Sequence, residues 1–445
     1  MNTVRLISLA LVLVFARGED EVCTDNNLDF KICKKGNTLT RITHDHRIFS
    51  GKFLSLEIER DIIISEDALI SLNLQTLTLA CDRRGVAPET PLPSVSLSSN
   101  LLASLTNLTD LKLENVEIDP IGGLLRLPNS LDHLIVEGCE LSEVPSDTLA
   151  TAPKLVDLSL RRNRIQTIKP NAFAGLKHLK KLGLSQNNAL EHLEEGCFNG
   201  LDKLESLELG ENYITLRPGL FKGLNNLKRL YLSKSFNGMG FEPSLLQDVP
   251  NLVALYARYN GLSSLQPGMF DALQNLENLF LTGNTLTHIP KGVFNQLKSL
   301  KQLNLGNNSI ESIEPAAFSG LNLTSLTLSL NSLENIKTGI FNDLNVTNRL
   351  SLSDNLISTL DPGAFRNLNT QRLDLAKNRL TEVHADDFLD LNADELNLSE
   401  NSITTIAPNA FSSTKLNLLE LVSNPIKEAD KSGWGLSKSA EISME

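Results

Sequence analysis

The stretch Leu276–Leu297, LENLFLTGNTLTHIPKGVFNQL, decides the fold. Its apolar residues fall at Leu276, Leu279, Leu281, Leu286, Ile289, Phe294 and Leu297, with Asn284 between them, and the next copy opens at Leu300, 24 residues on. A period of roughly 20–29 residues marks a solenoid whose copies are single coils of chain, each burying its apolar face only against its neighbours. Leu279 and Leu281 alternate with Asn278 and Phe280, the two-residue period of a strand. Stacked about 4.8 Å apart, such strands line one concave parallel sheet. The inward leucines, each worth about 1.5–3 kcal/mol when fully buried, build a core that no single coil closes. The reading is an α/β repeat solenoid of horseshoe form, with a mostly irregular or 3-10 convex side.

Numbering the first consensus leucine as position 1, rungs open at Leu108, Leu131, Leu155, Leu179, Leu204, Leu227, Leu252, Leu276, Leu300 and Leu323. Degenerate starts follow at Thr347, Thr370 and Ala393, then Leu416, and weaker rungs precede the array at Phe53 and Leu74. Between Asp82 and Leu101 the prolines Pro88, Pro91 and Pro93 disturb the period. A loop and an irregular extra rung (Leu92, Val95, Leu97, Asn100) both fit that insertion.

Position 9 carries an asparagine whose amide can hold backbone groups of its own and adjoining rungs: Asn163, Asn212, Asn260, Asn284, Asn308, Asn331, Asn355, Asn378, Asn401 and Asn424. Phe173, Phe198, Phe221, Phe270, Phe294, Phe318, Phe341, Phe365, Phe388 and Phe411 fill a convex slot and read as core. Terminal rungs need covers. Residues 19–52 are therefore assigned to an N-terminal cap, 53–426 to the solenoid, and 427–445 to a C-terminal cap bearing Trp434 and a polar tail.

The net charge of −12 counts against a nucleic-acid partner and against an anionic membrane surface. Residues 1–18 read as a secretory leader: Arg5, the apolar run Leu6–Phe15, then Ala16-Arg17-Gly18 as a small-x-small cleavage site. That run is too short for a membrane span, which needs about 20 residues, and no later segment qualifies. Of five cysteines, Cys23 and Cys33 read as a disulfide in the N-terminal cap, a bond that secretion preserves. Cys81 and Cys139 have at least one rung between them, about two strand spacings or 9–10 Å, beyond the ~7 Å between Cα atoms that a disulfide tolerates. Cys139 and Cys197 read as buried thiols, with a disulfide-linked dimer as the alternative.

The motif, the leader and the Phe-bearing rung resemble the typical-subtype leucine-rich-repeat family over Phe53–Ile426. Toll-type receptor ectodomains, the acid-labile insulin-like growth factor carrier and soluble invertebrate immune repeat proteins are of this kind. The resemblance implies non-enzymatic binding of protein, lipid or glycan through variable concave residues, and innate immunity as the setting. Secreted members commonly close their C-terminus with a disulfide-linked cap. No cysteine follows Cys197 here, so this cap departs from the family pattern.

Positions 3, 5, 7 and 8 should face the concavity. Most rungs place small polar or charged residues there, but three consecutive rungs carry Tyr231, Tyr256 and Phe280 at position 5. Arg229, Lys234, Arg258 and Tyr259 fall around them. Cross-strand aromatic pairing accounts for such a row, and so does a binding hot spot, where Tyr and Arg concentrate. An open sheet face does not require aromatics, so the hot spot is preferred. Ser235 replaces the ladder asparagine beside them, and Phe236–Phe241 reads as a protruding loop or an irregular repeat.

Glycosylation sequons stand at Asn107, Asn307, Asn322, Asn345 and Asn397, none within rungs Leu131 to Leu276. Asn397 is a position-5 residue whose glycan would block the C-terminal part of the concavity. The seven histidines are scattered, and His44-Asp45-His46 reads as cap surface rather than a metal site. No cofactor is implied. The expectation is a secreted binding protein whose partner is an extracellular protein or a microbial glycolipid. A circulating carrier or regulatory subunit and a developmental or adhesion factor are the alternatives.

Overall fold

The structure is a computed structural model and describes residues 10–12, 21–26, 30–44, 52–69, 72–87, 89–121, 124–236 and 241–444. The leader read at residues 1–18 lies outside these except for Ala10–Val12, which runs parallel beside Phe53–Glu57. Asp45 and His46 lie outside the described residues as well. The chain forms two compact units, residues 1–214 with 222–224 and residues 215–221 with 225–445.

Each unit is a solenoid of stacked rungs with a parallel sheet. In the first, Phe53–Glu57, Thr76–Ala80, Asp110–Glu114, His133–Glu137, Asp157–Ser159, Lys181–Gly183 and Ser206–Glu208 pair in sequence order. In the second the order runs Arg229–Tyr231, Ala254–Tyr256, Asn278–Phe280, Gln302–Asn304, Asn322–Thr327, Asn345–Ser351, Asn369–Asp374, Asn392–Asn397 and Leu418–Glu420. Positions 4 and 6 are sealed in the interior, as the alternation requires: Leu279, Leu281, Leu303 and Leu305 are all buried.

The structure moves one rung start and decides between the two readings of the 82–101 insertion. The rung read from Phe53 starts earlier, because Phe53 pairs with Thr76 and so occupies position 3, half in solvent, while Leu54 and Leu56 are the buried pair. The 82–101 insertion adds no rung to the main sheet, since Thr76–Ala80 bonds directly to Asp110–Glu114. Ser94–Ser98 instead enters a side sheet between Ile62–Ile64 and Glu117–Ile121, where Val95 and Leu97 find burial. Most of the remaining coil consists of successive turns and two-residue ladders such as His288–Ile289 with Ser312–Ile313, with short α-helices at Leu101–Ser104 and Ser146–Leu149 in the first unit, and 3-10 helix is absent among the described residues. Leu297 N–H to the Phe294 carbonyl (3.0 Å) and Leu300 N–H to the Leu297 carbonyl (3.1 Å) show how the turns follow one another.

Cys23 faces Cys33 across the antiparallel strands Val22–Asn26 and Phe30–Lys35, and the two are disulfide-bonded with Cα atoms 4.0 Å apart. At the other end Trp434 is buried and its carbonyl accepts the Phe411 N–H at 2.9 Å. The segment read as a polar tail folds back, and Glu441–Ser443 extends the sheet beside Leu418–Glu420.

Two columns tie rung to rung. From Phe270 to Phe411 the phenylalanine rings stack at centroid distances of 5.7–6.3 Å. The asparagine ladder contains Asn187, which the sequence reading passed over: its Nδ2 donates to the Leu160 and Leu184 carbonyls at 3.0 and 2.9 Å. Ser235 does break the ladder, and Asn260 Nδ2 is buried without a hydrogen-bond partner among the described residues. Residues 237–240, the tip of the expected protruding loop, lie outside the described residues. The flanks of that loop turn inward: Phe236 and Phe241 are buried and stacked at 5.6 Å.

Candidate functional site

The row of aromatics lies wholly in the second unit. Parallel pairing places Tyr231 beside Tyr256 and Tyr256 beside Phe280, because position 5 of each rung faces out of the sheet in the same register. Tyr231 and Tyr256 stack with centroids 4.4 Å apart and planes within 5°. Tyr256 and Phe280 stack at 4.9 Å and 14°. Strand spacing imposes this arrangement: rings rising from neighbouring strands meet face to face, so both faces of Tyr256 are closed and its edge points away from the sheet.

Arg258 stands two residues after Tyr256, on the same side of the strand, and crosses toward the next rung. Its guanidinium carbon lies 4.6 Å from the Phe280 centroid and 5.6 Å from that of Tyr256. A guanidinium over ring faces gains about 0.5–2 kcal/mol depending on its exposure. Its Nε is buried with no acceptor among the described residues. Ser233 holds the strand beneath, since the Arg258 N–H donates to Ser233 Oγ at 3.3 Å.

Tyr259 is half exposed and in the left-handed region, φ 55°. Its backbone N–H donates to the Thr282 carbonyl at 3.0 Å, and its ring lies against Gly283. Lys234 repeats that backbone conformation one rung earlier, also at φ 55°, and is exposed. Arg229 is half-buried at position 3. Sequence reasoning missed Ser233 and Gly283 as supports. The glycine at position 8 of its rung, where neighbouring rungs carry side chains, was the available signal.

Elsewhere on the sheet of this unit, cations are answered by acids. Arg349 pairs with the buried Asp374, and Arg372 bridges Glu395 and Glu420, the latter at 2.9 Å. Among the described residues no carboxylate pairs with Arg229, Lys234 or Arg258.

Of the sequon asparagines, Asn107, Asn307 and Asn322 are exposed, and Asn345 is half-buried in register with Asn322. Asn397 is 8% exposed, and its side-chain oxygen accepts the Ser399 N–H at 2.9 Å. Arg372 and Glu420, on the two strands that flank its own, are ion-paired at 2.9 Å. Among the described residues no helix is long and apolar enough to cross a membrane, and no three metal-ligating side chains converge.

The profile described as "Leucine rich repeat" matches residues 129–188, 178–238, 274–329, 322–375 and 369–426, more than half of the chain. The chain belongs to the leucine-rich repeat family. This leucine-rich-repeat protein is 34% identical to keratocan of Danio rerio over 126 residues, which are 27% of this chain and 35% of keratocan. It is 30% identical to mimecan of Homo sapiens over 128 residues, 28% of this chain and 41% of mimecan. The match thus spans well under half the length of these curated relatives. Among solved structures, a leucine-rich-repeat protein of Leptospira interrogans is similar with a TM-score of 0.55 at 25% identity, over 88% of this chain and 95% of that one. Toll in its Drosophila complex with Spatzle gives 0.59 at 19% identity, over 93% and 70%. TLR13 in complex with ssRNA13 gives 0.63 at 20%, over 88% and 57%. The likeness to these last two is one of fold.

Proposed function

We propose that this leucine-rich-repeat protein is a secreted, non-enzymatic recognition protein that holds an extracellular macromolecule against the sheet at Tyr231, Tyr256 and Phe280. Arg229, Lys234, Arg258 and Tyr259 complete the contact. The observation that carries this reading is the three-ring stack topped by Arg258, on a face whose other cations are paired with acids. Aromatics and arginine on an open face are the composition of interface hot spots. Ion pairing along the sheet needs neither the rings nor an unanswered cation.

Innate immune recognition is the proposed setting, with an extracellular protein or a microbial glycolipid as the partner. The leader and the resemblance to immune repeat proteins support that setting. The structure of Toll with Spatzle is a precedent on a similar fold for a protein partner. The test is affinity capture from native body fluid with the wild-type chain and with the double variant Tyr256→Ala, Arg258→Ala. Loss of a specific partner in the variant, with unchanged thermal unfolding, is the expected result. Equal capture by both proteins removes the site.

A further inference from the structure

We propose that the guest of this patch is an acidic polypeptide segment whose carboxylates dock on Arg229, Lys234 and Arg258, an inference that rests on the preceding reading of the patch as a binding surface. The first argument is charge. The chain carries a net charge of −12, yet these three cations, all on two adjoining strands and the turns that follow them, have no carboxylate partner among the described residues. Covering such cations with an uncharged guest strips their water and returns nothing, whereas carboxylates replace that water with charge-assisted hydrogen bonds. Arg372 shows the alternative on the same sheet, where Glu395 and Glu420 consume its donors internally.

The second argument concerns which parts of the rings are open. Nucleobases need exposed aromatic faces on which to stack. Here both faces of Tyr256 are covered, by Tyr231 at 4.4 Å and by Phe280 at 4.9 Å, and Arg258 lies over Phe280. Tyr256, the middle ring of the stack, therefore offers its edge, which carries the positive end of the ring quadrupole. Edges and cations alike attract anionic oxygens. A long polyanion meets the repulsion of the whole acidic chain. A short segment with two or three carboxylates, spaced over the ~5–10 Å that separate neighbouring strands, meets only the patch.

Fluorescence anisotropy of labelled probes with the full chain tests the idea. The probes are a short peptide carrying three glutamates, its glutamine counterpart, an oligothymidylate and a heparin fragment, each at low and high salt. The glutamate peptide should bind at least about tenfold more tightly than the glutamine peptide, the scale of one charge-assisted contact. Arg258→Gln with Lys234→Gln should erase that preference, and salt should weaken it. No binding of the glutamate peptide, equal binding of both peptides, or an Arg258-dependent preference for oligothymidylate or heparin would overturn the proposal. The two readings fail separately. If fluid-phase capture is lost in the Tyr256→Ala, Arg258→Ala variant but kept in the double glutamine variant, the docking surface stands and its acidic guest does not.

Discussion

The ring of Tyr259 occupies the space that a side chain on Gly283 would need. A Cβ built on Gly283 falls 2.2 Å from the Tyr259 Cδ1 and Cε1 atoms, and Gly283 sits at φ +73°. One rung thus forgoes a side chain so that the preceding rung can lay its tyrosine across it. Gly283→Ala should displace the ring and add about 1–2 kcal/mol of left-handed backbone strain. Near-UV circular dichroism should register the tyrosine shift and thermal unfolding the lost stability. An unaltered near-UV spectrum would mean that Gly283 does not place Tyr259.

Asn187 is fully buried and makes contacts that no other side chain at its position would reproduce. Its amide donates to two carbonyls, and its oxygen accepts the Ile165 N–H at 3.2 Å. Asn187→Ala leaves those backbone groups unpaired in the interior. At about 1 kcal/mol or more for each, the loss should reach about 2–3 kcal/mol. Chemical denaturation of the variant beside Asn308→Ala, a partly exposed member of the same ladder, should show the larger effect at Asn187.

Ala316 occupies, at φ 61°, a turn position two residues before its column phenylalanine that glycine fills in other rungs, as at Gly292 and Gly339. An L-residue there carries about 1–2 kcal/mol of strain. Glycine relieves it but frees the unfolded chain by about 0.4–1 kcal/mol. Ala316→Gly should therefore stabilise the protein by about 0.5–1 kcal/mol, a rare gain from adding glycine. A lowered denaturation midpoint would contradict the strain argument.

Asp387 is buried beside His384, whose backbone N–H donates to its carboxylate at 2.7 Å. Desolvation raises its pKa above the ordinary aspartate value, against the opposing pull of that hydrogen bond and of the His384 charge. The folded chain consequently holds this proton more tightly than the unfolded one. Its contribution to stability is largest below the ordinary aspartate range and declines as pH rises through the raised value. Asp387→Asn keeps an acceptor for the N–H and removes the titration. Melting temperatures across the mildly acidic range should decline less with rising pH in the variant than in the wild type.

The thiols separate by burial. Cys139 is buried, donates to the Leu113 and Glu137 carbonyls at 3.4 Å, and has its pKa pushed up to about 11, chiefly by desolvation. Cys197 is buried too, whereas Cys81 is partly exposed. Alkylation of the native protein at pH 8 should label Cys81 first and spare the other two until the chain unfolds. Rapid native labelling of Cys139 would show that its rung opens.

Some of this was legible in the residues. Position 5 read directly as a row across neighbouring strands, because a strand alternates its side chains and a fixed repeat keeps the register. That is why Tyr231, Tyr256 and Phe280 could be placed together. The sequon at Asn397 assigns a face, whereas the burial of its side chain, 8% exposed, comes from the tertiary structure. The 82–101 insertion was ambiguous because Val95 and Leu97 fit a strand of either sheet, and only pairing with Ile62–Ile64 decides between them.

The repeat alone determined that this chain coils, which leucines and phenylalanines lie inside, and which positions share a face. Those follow from local periodicity, and every rung restates them. The folded structure decided the rest. Position 8 turns left-handed even where it holds Arg162, Lys234, Tyr259 or Leu330, residues that do not favour that conformation. Cross-rung backbone bonds, such as Tyr259 N–H to the Thr282 carbonyl, hold it there. Tertiary structure likewise chose which cations found acids and which did not. Pairing depends on distances between side chains from different rungs, and no single rung contains that information.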